Sequence, residues 1–198
     1  NYDDETEIKK IVSYCRAAAL KNKLNMSTVG SFGGRGMGQT VGVADPSQVM
    51  KMFGIDIDSR DTTQLIECAK AFSDEEVKAL YPRLEKLFGS LPKEDAVTDR
   101  SLRIYLALKK KMAEWDFDYY TIQSFPGIGD DYTATCFAQS LVLDDGIGTS
   151  TLGDFNTLLT TIALTELSGQ PVYYGDLQVL VREENEIRII GDGACPPS

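Results

Sequence analysis

Apolar residues in the first part of the chain recur at steps of three and four: Ile8, Ile11, Val12, Cys15, Ala18 and Ala19. That spacing predicts a helix over residues 4–24, with acids early and lysines late, as the helix dipole favours. TVGSF follows as a short strand and runs into Gly33-Gly34-Arg35-Gly36-Met37-Gly38. Asp45-Pro46 supplies a cap and a first position for a short helix, with Val49, Met52 and Phe53 inward and Gly54 as its stop. IDIDSRD alternates apolar and acidic residues and predicts a strand or an extended linker. Two helices are expected between Thr62 and Phe88, the second capped by Ser73 in an SDEE box. Residues 92–114 predict one more long amphipathic helix carrying Leu102, Tyr105, Leu106, Leu108 and Met112.

In the second half, DYYTIQS reads as a strand ending in a Phe125-Pro126-Gly127-Ile128-Gly129 loop. A helix over 132–144 carries Cys136, Phe137 and Leu141, and residues 145–153 read as a loop. Asp154 stands at the start of a long apolar helix that Ser168-Gly169 stops. A short strand, PVYY, then delivers a second acid, Asp176, and LQVLVRE-EN-EIRIIGDG reads as a hairpin. Alternating helices and strands give an α/β fold class: a mostly parallel sheet with helices on both faces, a Rossmann-like three-layer sandwich, closed by a C-terminal β-hairpin. Such sheets bind ligands beyond their strand C-terminal ends. The sequence puts the glycine loop, Gln123 and Gly175-Asp176 at those ends, and an acid before a helix and one after a strand at the same edge.

Composition narrows the chemistry. The 198 residues carry a net charge of −10, which argues against nucleic acid and against anionic membrane surfaces. Lys109-Lys110-Lys111 reads as the solvated end of a helix. No apolar run approaches the roughly 18 residues that span a bilayer, and the N-terminal stretch is not signal-like. Four separated cysteines without a CxxC pair predict a reducing cytoplasm, three of them in helical apolar patterns as buried thiols. There is no histidine, which removes Ser-His-Asp and Cys-His systems and histidine metal ligands. A metal held by this chain alone would rest on carboxylates, hence Mg, Mn or Ca. The glycine loop lacks both the last Gly of G-x-G-x-x-G and a P-loop Lys, so it reads as backbone that turns sharply or approaches something closely. Asp56, Asp58 and Asp61 lack the EF-hand Gly and Glu and read as an exposed strand and a cap. Starting at Asn1 and ending at CPPS, the chain is expected to be a fragment of a longer protein.

Several separated stretches resemble the L-fucose and L-arabinose isomerase family of sugar isomerases: GGRGMG with DPSQVMKMFGIDI, then DYYTIQSF, then LSGQPVYYGD, in the family's order. The resemblance implies a middle α/β domain over 28–198, with 1–27 as a helix entering from a preceding domain. It implies interconversion of an aldose and a ketose through an ene-diol, with Mn2+ held by a Glu, an Asp and a His. A hard cation bridging two sugar oxygens stabilises the enediolate while a carboxylate moves the proton. Asp176 then corresponds to the metal ligand and catalytic acid, Asp154 to a second acid, Gln123 to a sugar contact and Met37 to a pocket wall. Arg35 joins them as a substrate-binding candidate. Counting back from Asp176 by the family's Glu-to-Asp spacing lands on Leu152, and the family's His has no counterpart. The alternative is a non-catalytic sugar-binding or regulatory relative that has lost its metal site. The partner in either case is a monosaccharide or polyol, and the assembly expected by resemblance is a homo-oligomer. Each residue also has a plain structural reading: Asp154 a helix cap, Asp176 a turn acid, Gln123 a backbone-satisfying strand end, Glu166 a surface residue, Cys136 core.

Overall fold

A computed structural model of the chain describes residues 4–38, 42–90, 93–191 and 195–197. Four strands, β1 (Thr28–Phe32), β2 (Asp56–Arg60), β3 (Tyr119–Ile122) and β4 (Thr149–Thr151), pair in parallel in the order β2-β1-β3-β4. Side chains alternate between the two faces of a strand, and both faces here are covered. Phe32, Tyr120 and Ile122 pack against Leu65 of α3 (Thr62–Lys70), Leu102 and Leu108 of α6 (Ala96–Trp115) and Leu141 of α8 (Cys136–Asp144). Val29, Ile57 and Tyr119 meet Val49 and Phe53 of α2 (Pro46–Phe53) and Leu158 and Ile162 of α9 (Phe155–Ser168). Burying each large apolar side chain in these layers contributes about 1.5–3 kcal/mol. The three-layer α/β class read from the sequence is the observed one.

Local signals hold where capping chemistry fixes them. Asp45 caps α2, accepting the Ser47 N–H at 2.8 Å, and Gly54 ends it in the left-handed region. Ser73 and Glu76 form the reciprocal capping box of α4 (Asp74–Lys78). The stretch read as two helices holds three, because α5 (Tyr81–Phe88) starts afresh on Pro82. Asp95 caps α6 through two backbone N–H groups, so that helix begins at Ala96.

Three expectations need correction. The loop read over 145–153 contains β4, three small hydroxyl residues buried as a sheet strand. PVYY is not a strand: Pro171 to Gly175 is irregular, and Asp176 opens β5 (Asp176–Val181), which among the described residues pairs only with β6 (Glu186–Ile190). Pro171 has no N–H to donate and follows directly on the helix stop, which suits a linker better than a ladder. The thiols also differ, since Cys68 is buried but Cys15, Cys136 and Cys195 are exposed.

The N-terminal helix α1 (Glu5–Leu24) forms as its periodicity predicts, capped by Asp4, but its apolar stripe faces outward. Ile8, Ile11 and Val12 are 46%, 62% and 44% exposed, while Leu20 and Leu24 in the last turns pack into the α2–α9 layer. Lys23 fastens that end to Glu166 at 2.6 Å. Glu166 is therefore not a plain surface residue; it also accepts the Tyr119 hydroxyl at 2.8 Å.

Candidate active site

The chain runs β1–α2–β2 along one face of the sheet and β3–α8–β4 along the other, so the connections after β1 and β3 diverge. Open α/β sheets hold ligands at such a switch point. Three strand-end loops meet there: the glycine loop after β1, the loop from Gln123 after β3, and Leu152-Gly153-Asp154 after β4.

The glycine loop is bound to its neighbours by backbone hydrogen bonds. The Gly34 N–H donates to Oε1 of Gln123 at 2.8 Å, and the Gly36 N–H donates to the Leu152 carbonyl at 2.8 Å. A Cβ on Gly36 would lie 2.8 Å from the Phe125 carbonyl oxygen and 3.0 Å from the Leu152 Cα. Gly153, at φ +71°, leaves room for the Gly34 carbonyl, 2.6 Å from where its Cβ would be. The close approach inferred for these glycines is real, and what they approach is the turn after β4. Leu152 itself sits at φ +62°, a region β-carbon sterics disfavour, and is 8% exposed.

Asp154 and Asp176 come together. With Thr151, Leu152, Thr157, Tyr174 and Gly175 they line one cavity of about 130 Å³. Asp154 caps α9, accepting the Thr157 N–H at 3.0 Å and the Thr157 hydroxyl at 2.7 Å. Both its carboxylate oxygens are thus engaged. Asp176 is exposed at the first position of β5; it reaches the cavity from the hairpin rather than from the end of a sheet strand. Gln123 has its carbonyl oxygen committed to Gly34. Met37 lies in a single turn, Gly36–Gly38, and its side chain falls outside the described residues.

Register shows a feature that linear reading misses. Ser59, Ser31, Thr121 and Ser150 are mutual partners across β2, β1, β3 and β4, so four hydroxyls stand in a row on the α2–α9 face. The Thr121 and Ser150 hydroxyls are 2.8 Å apart, and Ser150 donates to the Asp154 carbonyl at 2.7 Å. The signal was a small polar residue near the end of each strand, which only the pairing converts into a row. At its other end Ser31 and Ser59 line a second cavity of about 190 Å³, together with Arg35 and Gly153.

Among the described residues no three His, Cys, Asp or Glu side chains are placed to hold a metal ion. Leu152 offers no donor, and Asp154 is already engaged by Thr157.

No family model matches the chain. Over 197 residues, 98% of the chain, it is 25% identical to a sulfoquinovose isomerase of Clostridium sp. (strain MSTE9). The chain is similar to a sugar isomerase. The match covers 44% of that protein, so the chain spans less than half the length of this relative. It extends over both α1 and the hairpin as well as the sheet, which agrees with the broader part of the resemblance read from GGRGMG, DYYTIQSF and LSGQPVYYGD. No helix among the described residues is long and apolar enough to cross a membrane.

Proposed function

We propose that this chain is the middle α/β domain of a cytoplasmic carbohydrate isomerase, acting on a monosaccharide by aldose–ketose interconversion through an ene-diol. The observation that carries the reading is the pair of carboxylates, Asp154 and Asp176, on one cavity at the end of β4 in a chain similar to a sugar isomerase. Proton transfer between adjacent carbons needs a carboxylate that can accept and return a proton. Asp176 takes that role, since it is exposed on the cavity while Asp154 is held as a cap. Asp154 positions the turn, and Gln123, Met37 and Arg35 are the sugar contacts of this reading. In the family Mn2+ would supply charge stabilisation of the enediolate; among the described residues no three His, Cys, Asp or Glu side chains are placed to hold it.

Residues 1–27 as a helix entering from a preceding domain belong to the same proposal, as does a homo-oligomeric assembly. The outward stripe of α1 and the exposed hairpin support further polypeptide around this domain.

The test is an aldose-to-ketose assay of the full-length protein beside its Asp176→Asn variant. Turnover that falls at least about 100-fold in the variant, as loss of a general base does, supports the reading. Turnover that persists unchanged removes Asp176 from it. A second reading, a sugar-binding relative without turnover, is favoured by one observation: an apolar Leu152 side chain on the cavity where the resemblance implies a Glu. Saturable sugar binding with no ketose formed would establish that second reading.

A further inference from the structure

The apolar stripe of α1 is turned away from the rest of the molecule. At about 100° per residue, Ile8, Ile11, Val12, Cys15, Ala18 and Ala19 fall on one side of the helix, and all six are exposed. Leu20 and Leu24, which dock α1 against the α2–α9 layer, project from roughly the opposite side. Docking therefore leaves the stripe uncovered among the described residues. Its steps of three and four, 8-11-15-18, are the spacing of a helix–helix seam.

Size and charge both say what fits it. The bulky residues hold the first half of the stripe and the small ones the second. A like helix running the other way sets Ile8 beside Ala19 and Val12 beside Cys15, filling each gap, whereas a parallel copy sets bulk on bulk and leaves space between alanines. Charge is graded in the same sense, with Glu5 and Glu7 in the first turn and Lys21 and Lys23 in the last. Glu7 and Lys21 share one flank of the stripe, so antiparallel pairing brings them together twice across a two-fold axis. The exposed pair of Glu7 with Lys10 in its own helix, at 2.7 Å, is the weak kind that yields to this. A helix of 20 residues is about 30 Å long, and antiparallel packing keeps the two α/β bodies at opposite ends of it.

We propose that the partner of this face is a second copy of the chain, its α1 packed antiparallel with the axis near Ser13 and Tyr14. This names a surface for the homo-oligomeric assembly of the reading above and does not depend on its isomerase chemistry. The seam is smaller than the roughly 800 Å² per partner of a standard interface, so association at micromolar concentration is expected.

The experiment is sedimentation equilibrium of the full-length protein and its Ile11→Lys, Glu7→Lys and Lys21→Glu variants, with turnover measured on each. Ile11→Lys should weaken association at least about 100-fold, since each dimer buries that side chain twice, while an already exposed position leaves folding intact. Glu7→Lys and Lys21→Glu should each weaken it about 3- to 10-fold. An equimolar mixture of those two variants should recover it, because every flank then pairs opposite charges; a parallel seam gives no such recovery. A protein that stays monomeric gives the stripe to its own polypeptide and overturns the proposal, as does assembly that these substitutions leave unchanged. Ketose formation without association through α1 overturns the seam and keeps the isomerase reading. Association that follows the charge exchange, without turnover, sustains the seam and overturns that reading instead.

Discussion

Asp154 carries two demands that a pair of substitutions separates. As the cap of α9 it needs only a side-chain oxygen for the Thr157 N–H, which Asn supplies. Asp154→Ala is expected to cost about 1 kcal/mol, a fall in melting temperature of roughly 2–4 °C for a chain of this size. Asp154→Asn should stay near wild type; equal losses in a thermal melt would refute the cap. Gly36 faces a stricter limit, because backbone atoms of Phe125 and Leu152 stand where a Cβ would go. Gly36→Ala should cost about 1–3 kcal/mol, read as a lower urea midpoint at unchanged slope. Calorimetric titration of this chain with Mn2+ should show no saturable site, and tight binding lost in Asp176→Ala would contradict the donor geometry. The two acids were legible because each follows or precedes a strong local signal, a helix stop or a helix start. Ser31 was not, since nothing within TVGSF marks one serine as part of a row spanning four strands.

At the scale of elements, legibility followed capping and periodicity and failed where burial was two-sided. The helices α2, α4 and α6 each announce themselves by a cap. Strand β4 does not: Thr149, Ser150 and Thr151 are all buried, so no alternation of apolar and polar residues appears. PVYY offered strand-forming residues, but a stretch with no neighbouring strand to pair with remains irregular. The contacts joining α5, α6 and α8 are likewise invisible in sequence, being polar and long-range. Arg83 reaches Asp144 at 3.0 Å and Asp145 at 2.8 Å, and the Tyr105 hydroxyl donates to Asp145 at 2.9 Å. Burial, reinforced by the Asp145 charge, pushes the Tyr105 phenol up to about 12. Burial raises Tyr119 and Tyr120 as well. An unfolded tyrosine ionises near pH 10, so above it the unfolded chain releases protons that the folded chain retains. The stability these tyrosines contribute is therefore fully present below about pH 10 and falls as pH rises towards 12. Tyr105→Phe should make that alkaline decline shallower in urea titrations; an unchanged slope would show that Tyr105 does not contribute.

On the scale of the whole molecule, cohesion is unevenly distributed. The sheet and the helices on its two faces share continuous apolar layers, whereas α1 docks through its last turns. The hairpin exposes Leu177, Leu180, Ile187 and Ile189 at 61%, 56%, 64% and 49%. A two-stranded sheet is marginal alone, and so is a helix held only at one end. Hydrogen exchange on the 198-residue chain should accordingly rank β1, β3 and α6 slowest, with residues 5–19 and both hairpin strands exchanging far sooner. Asp176 begins the hairpin, so the cavity wall that carries the proposed general base belongs to a part of the chain expected to open early. If further polypeptide packs on the hairpin, as the domain proposal holds, the same amides in the full-length protein should exchange markedly more slowly. Leu180→Lys should then lower both that protection and isomerase turnover while leaving β1 exchange unchanged. Equal hairpin protection in the short and the full-length proteins would mean the exposed apolar faces are not covered by the same polypeptide.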